Sequence, residues 1–185
     1  MLAVLFVAIV VLLTPLVWLL VTFNRLASTR VHLRDSWSGV EIELQRRYEL
    51  VPNLVETVKG YAAHERETLE QVIRLRDVAA ANRRRPDEQE ADERALEAGV
   101  NRVLAVAEGY PELRASDRFL ALQRELTLTE DRIAAGRRFF NANVRELNQL
   151  CRTFPTSLVA RLLGFEPQGF FEAEEDARSA VSVDS

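Results

Sequence analysis

The chain opens on its most apolar stretch. Leu2–Phe23 carries no charged side chain and is interrupted only by Thr14, Pro15 and Thr22. A helix of about 22 residues rises about 33 Å, enough to cross a hydrocarbon core of about 30 Å. Membrane-spanning helices tolerate a proline such as Pro15, and Trp18 suits the headgroup level. A cleaved secretory signal would need a basic start, a shorter run and a small-x-small cleavage site. No Lys or Arg precedes Arg25, and Val21-Thr22-Phe23 fits such a site poorly. Residues 1–23 are therefore predicted to be a single-pass transmembrane anchor. Arg25, Arg30 and Arg34 follow it, which places the rest of the chain in the cytoplasm by the positive-inside rule.

Beyond Asn24 the apolar positions follow helical spacing. Leu26, Leu33, Trp37, Val40, Leu44, Tyr48 and Val51 form one stripe, with no breaker between it and the anchor. Pro52 then offers two readings. The apolar phase continues through Val55 and Val58, which suits a kink. A single helix to about Asn82 would leave a stripe about 88 Å long that no later helix can cover. A reversal at Leu50–Asn53 gives two helices of matched length and is the expectation. The second helix is predicted over Asn53–Asn82, with Leu54, Val58, Tyr61, Leu69, Val72, Leu75 and Ala79 inward. Arg83-Arg84-Arg85-Pro86 closes it, cations at the helix C-terminus and then a breaker. A third helix over Asp87–Glu108 turns Ala95, Leu96, Val100, Val103, Leu104 and Ala107 inward and ends at Gly109-Tyr110-Pro111. Ser116 or Asp117 caps the fourth.

That fourth helix, Asp117–Phe154, is the longest periodic segment. Phe119, Leu126, Ile133, Phe140, Leu147 and Phe154 fall at strict sevens, with Leu122, Thr129, Gly136, Asn143 and Leu150 at the second seam position. Such a heptad predicts coiled-coil packing, with close approach at Thr129, Gly136 and Asn143. The predicted fold is all-α: an N-terminal transmembrane helix, then an up-and-down four-helix bundle over 24–154. An apolar turn and acidic C-terminal segment follow over 155–176, and a disordered tail over 177–185.

Composition adds little to this picture. The 185 residues carry a net charge of −4 with both signs interspersed, so no nucleic-acid footprint emerges. Cys151 is alone, which excludes an intrachain disulfide and a cysteine metal site. His64-Glu65 lacks a second His at position 68, and neither His32 nor His64 has Glu three positions earlier, so zinc and di-metal helix motifs are absent. No phosphate loop and no nucleophile–histidine pair is visible. The expectation is no catalytic residue, no metal and no cofactor.

Two groups of residues remain. Gln123, Glu130, Arg137, Asn141 and Asn148 share one face of the fourth helix, where Arg46, Arg47, Glu56 and His64 could meet them across the bundle. Arg46, Arg47, Glu56, His64, Glu130, Arg137, Asn141 and Asn148 are thus a candidate polar network that fixes helix register; the alternative is that they face water. Second, the fourth helix should end at the level of the bilayer. There Leu158, Leu162, Leu163, Phe165, Phe170 and Phe171 either contact the membrane interface or fold back over the open end of the bundle.

Taken together the motifs resemble the LemA family. The resemblance begins at Phe23-Asn24-Arg25-Leu26 and runs through Trp37-Ser38. It is most specific in Arg46-Arg47-Tyr48-Glu49-Leu50-Val51-Pro52-Asn53-Leu54-Val55-Glu56-Thr57-Val58-Lys59-Gly60-Tyr61-Ala62 and His64-Glu65. It resumes at Tyr110-Pro111-Glu112-Leu113, Thr129-Glu130-Asp131-Arg132-Ile133-Ala134, Phe154-Pro155, Gly164-Phe165 and Phe171-Glu172-Ala173-Glu174-Glu175. Phe140-Asn141 and Leu147-Asn148 stand where the family often has Tyr-Asn. The resemblance implies a bacterial inner-membrane protein with one span, a four-helix domain and no established enzymatic activity. It also supports a reversal at Pro52. A magnetosome-formation protein belongs to the family, and some members are encoded near a membrane metallopeptidase. The expected function is a membrane-anchored scaffold that self-associates or recruits a partner, with the lipid bilayer, a second copy or a membrane peptidase as candidate partners. The alternative is an adaptor or regulator of that peptidase.

Overall fold

The computed structural model describes residues 1–82 and 84–171, without the side chains of Val7 and Ala8. The acidic segment beyond Phe171, the tail 177–185 and Arg83 of the arginine run lie outside the described residues. Six helices form, and no strand occurs among the described residues. They are α1 (Leu2–Lys59), α2 (Arg66–Ala81), α3 (Pro86–Glu108), α4 (Pro111–Arg114), α5 (Asp117–Arg152) and α6 (Thr156–Leu162).

The apolar run and the first stripe belong to one helix of 58 residues. Its apolar N-terminal stretch is long enough to cross a membrane, and its most apolar window is not buried among the described residues. The expected reversal at Leu50–Asn53 does not occur. Pro52 sits inside α1, and the chain turns only at Gly60–Glu65. Pro52 supplies no N–H to the Tyr48 carbonyl four residues back, and next to it Asn53 Nδ2 donates to the Glu49 carbonyl at 3.3 Å. The helix stops at Lys59, well short of Asn82. From Asn24 to Lys59 the helix rises about 54 Å, and α5, 36 residues long, rises the same, so the two cover each other.

α1 and α5 run antiparallel along this length. Arg25 pairs with Glu146 near one end at 3.2 Å, and Glu56 with Arg118 near the other at 3.4 Å. Midway Val40 lies against Gly136, where a Cβ would come within 2.9 Å of Val40 Cγ2. The glycine is what lets the helices approach there.

α2 and α3 form a shorter hairpin over the half of α1–α5 distant from the apolar run. Pro86 opens α3 with Asp87 and Glu88 in its first turn, where the helix dipole favours acids. Asn82 ties the turn, donating to the Glu88 carbonyl at 3.3 Å and to Asp92 at 2.6 Å. Ser116 occupies the N-cap position of α5, but its side chain makes no capping hydrogen bond.

The core divides accordingly. A distal cluster joins Val51, Leu54 and Val58 to Leu69, Val72, Leu96, Val100, Val103, Phe119 and Leu126. A proximal cluster joins Leu26, Leu33, Val40 and Leu44 to Ile133, Phe140, Val144 and Leu147. No residue of α2 or α3 belongs to it. Val159 and Ala160 of α6 and Phe171 complete the cluster instead. Tyr48 packs against both.

Candidate functional site

The inward phase of α1 reads Val40, Leu44, Arg47, Val51, Leu54 and Val58, so a guanidinium occupies a core position. The same happens on α3, whose inward series Gln89, Glu93, Leu96, Val100, Val103 and Ala107 begins with two polar residues. Arg47 is 2 % exposed and Glu93 1 %. Charges so deep must be paired. Arg47 Nη2 donates to Glu93 Oε2, and Nη1 reaches both Glu130 oxygens of α5 at 3.1 Å. The Tyr48 hydroxyl donates to Glu93 Oε1. Three helices are therefore joined through one guanidinium at the boundary of the two core clusters. Arg47 Nε makes no hydrogen bond among the described residues. Burial alone would lower the Arg47 pKa, but the Glu130 and Glu93 carboxylates outweigh it and hold the group above its ordinary value.

The other sequence-derived candidates are distributed differently. Arg46 pairs on the surface with Glu125 at 2.5 Å, and Glu56 with Arg118. His64 lies exposed in the α1–α2 turn. Arg137 is half-buried on α5, two turns beyond Glu130. Asn141 and Asn148 hold the chain that follows α6. Asn148 Nδ2 donates to the Gln168 carbonyl at 2.9 Å, and the Gln168 N–H donates to Asn148 Oδ1 at 2.8 Å. Asn141 repeats this with Phe171, at 2.9 and 3.0 Å. The asparagines are seven residues apart, about 10.5 Å along a helix, and three residues of extended chain span about 10 Å. Residues 165–171 thus form a strap antiparallel to α5, gripped twice by its backbone. Phe171 is fully buried, its ring 5.1 Å from that of Trp37, which lies 5.3 Å from Phe140.

The apolar C-terminal candidates therefore separate. Phe171 is in the core, and Phe165 is half-buried with its ring 6.4 Å from Phe23 and beneath the Arg30 guanidinium. Leu158, Leu162, Leu163 and Phe170 are exposed, as is Phe154.

Sequence reasoning missed Glu93 and Tyr48 as partners of Arg47. The signal was available: extending the α3 stripe backwards from Leu96 places Glu93 inward. A tyrosine on an apolar stripe also needs a partner for its hydroxyl.

A cleft of about 300 Å³ lies between the strap, α1 and the start of α3, lined by Arg30, Arg34, Trp37, Asp87 and Gln168 among others. Neither His, Cys nor Ser lines it. Among the described residues no three His, Cys, Asp or Glu side chains gather as a metal site. Cys151 is buried, and burial pushes its thiol pKa up.

These features define a class: a helical-bundle protein with an ion-paired interior, carried on one helix whose N-terminal part is apolar and uncovered. The LemA family model matches residues 36–184, and the chain belongs to the LemA family. Protein LemA of Metamycoplasma hominis is 26% identical, over 88% of this chain and 73% of that protein. Magnetosome protein MamQ of Magnetospirillum gryphiswaldense is 23% identical, over 83% of this chain and 65% of that protein.

Proposed function

We propose that the protein is a membrane-anchored helical scaffold that self-associates or recruits a protein partner at the membrane. The carrying observation is the continuity of α1: one rigid helix leads from an uncovered apolar stretch into an arm paired along its whole length with α5. Such a rod holds a domain at a set height and orientation above a bilayer, which is what a scaffold needs. The name of the second relative, a magnetosome protein, agrees with this reading. The arginines that follow the span, Arg25, Arg30 and Arg34, support a cytoplasmic bundle by the positive-inside rule. No catalytic activity is part of the proposal.

The test is cross-linking in membranes, together with mass measurement of the full chain purified in detergent. An oligomer or a co-purifying protein is expected. A strictly monomeric protein that recovers nothing would overturn the scaffold reading. Recovery of a membrane peptidase, lost when one exposed helix face is altered, would instead support the adaptor alternative. A reporter fused after Val181 that works only outside the cytoplasm would reverse the orientation.

A further inference from the structure

Among the described residues, the corner between α5 and α6 leaves four large apolar side chains without cover: Phe154 is 76 % exposed, Leu158 57 %, Leu162 78 % and Leu163 44 %. Their height follows from what α6 touches. Its buried side, Val159 and Ala160, lies in the proximal cluster with Leu26, and Leu19 packs against the same cluster. Thr22 is buried, and the Phe23 ring meets Phe165 just beyond α6. Leu19, Thr22 and Phe23 belong to the apolar run itself. About 20 residues are needed to cross the hydrocarbon, and Asn24 and Arg25 stop the run from sliding further in. A helix packed on its last turn therefore stands at the boundary between hydrocarbon and headgroups, on the side of the bundle.

We propose that α6 is a second membrane contact, with Phe154, Leu158, Leu162 and Leu163 inserted among lipids of the leaflet that the bundle faces. This rests on the reading of Leu2–Phe23 as a membrane span. α6 packs on α1 where the apolar run ends, and the large apolar side chains it does not turn inward are exposed at that level. Arg161, exposed on the same helix, can reach back to the headgroups along its apolar stem. Phe165 and Phe171 take no part, since their contacts are with Phe23 and Trp37. Phe170 is left out as well. It adjoins Phe171, whose partner Trp37 is about 21 Å along α1 from Phe23. The contact makes α1 and α6 two legs at one membrane surface, so the bundle is held against tilting about its anchor.

The full chain with Cys151→Ala would receive single cysteines at Leu158 or Leu162, labelled with an environment-sensitive fluorophore. It would be reconstituted into phosphatidylcholine–phosphatidylglycerol vesicles. Matched labels at Val11 in the span and at exposed Val78 on α2 are the references, and circular dichroism checks the fold. Nitroxide lipids labelled shallowly on the acyl chain should quench the labels at 158 and 162 and leave that at 78 bright. Labels at 158 and 162 that behave like that at 78 overturn the proposal while the quenched label at 11 preserves the anchor. Shielding from aqueous iodide without lipid quenching means that a second copy covers α6, and this too overturns it. An unquenched label at 11 removes the anchor and the proposal together.

Discussion

Arg47 illustrates how one residue can organise three helices. Its charge lies in the core because Glu93 arrives from α3 and Glu130 from α5, and neither carboxylate is near it in sequence. Removing one partner of a buried pair leaves the other charge uncompensated. Glu93→Ala or Arg47→Ala is expected to lower stability by about 3–5 kcal/mol in denaturant titration. Glu130 is less enclosed, its side chain 31% exposed, and Glu130→Ala is expected to cost less, about 1–3 kcal/mol. Equal losses at Glu93 and Glu130 would contradict the difference in burial. The apolar pair Arg47→Met with Glu93→Leu should recover much of the loss, because the only charge then left at the site is that of Glu130, which water reaches. The candidacy of Arg47 and Glu130 was legible in the sequence, but their third partner was not: Glu93 resembles any other acid on a charged helix until its phase against Leu96 and Val100 is traced.

At the scale of elements, two devices hold the proximal half together. One is the close approach of α1 and α5 at Gly136, where Val40 already occupies the space of a side chain. Gly136→Leu should destabilise by about 1–3 kcal/mol, because overpacking forces the helices apart; an unchanged denaturation midpoint would show that the seam is loose. The other is the strap. Asn148→Ala or Asn141→Ala removes two hydrogen bonds to the strap backbone, and the amide of Gln168 or Phe171 should then exchange with deuterium much faster while α2 and α3 stay protected. The heptad of α5 announced the α1–α5 seam from Phe119 to Leu147, since sevens sustained over four heptads have few other meanings; Phe154, the next in the series, lies past the end of α5 at Arg152 and is exposed. The strap was not legible as such. Residues 165–171 have no period, and their order comes from side chains on another element.

The whole molecule is two cores on one pair of helices. Phe171 serves the proximal core alone, and Phe171→Ala should lower stability by about 3–5 kcal/mol. The loss should appear first as faster amide exchange in the α1–α5 half nearest the apolar run. Uniform loss of protection across α2 and α3 as well would show that the cores, joined through Tyr48, behave as one unit.

The sequence by itself determined the helical class, the apolar N-terminal helix and the α5 seam, because each rests on a local period or a run of one chemical kind. Only the tertiary structure decided where α1 ends. Pro52 weakens a helix wherever it stands, and whether the chain turns there depends on what lies alongside. α5 runs alongside for the full distance to Lys59, so the helix continues. The tertiary structure likewise divided the polar residues. Arg47, Glu130, Asn141 and Asn148 became interior partners, while Arg46, Glu56 and His64 remained at the surface. Position on a helix face follows from periodicity, but burial requires a neighbour, and the neighbours here are Glu93 from α3 and the strap from beyond α6.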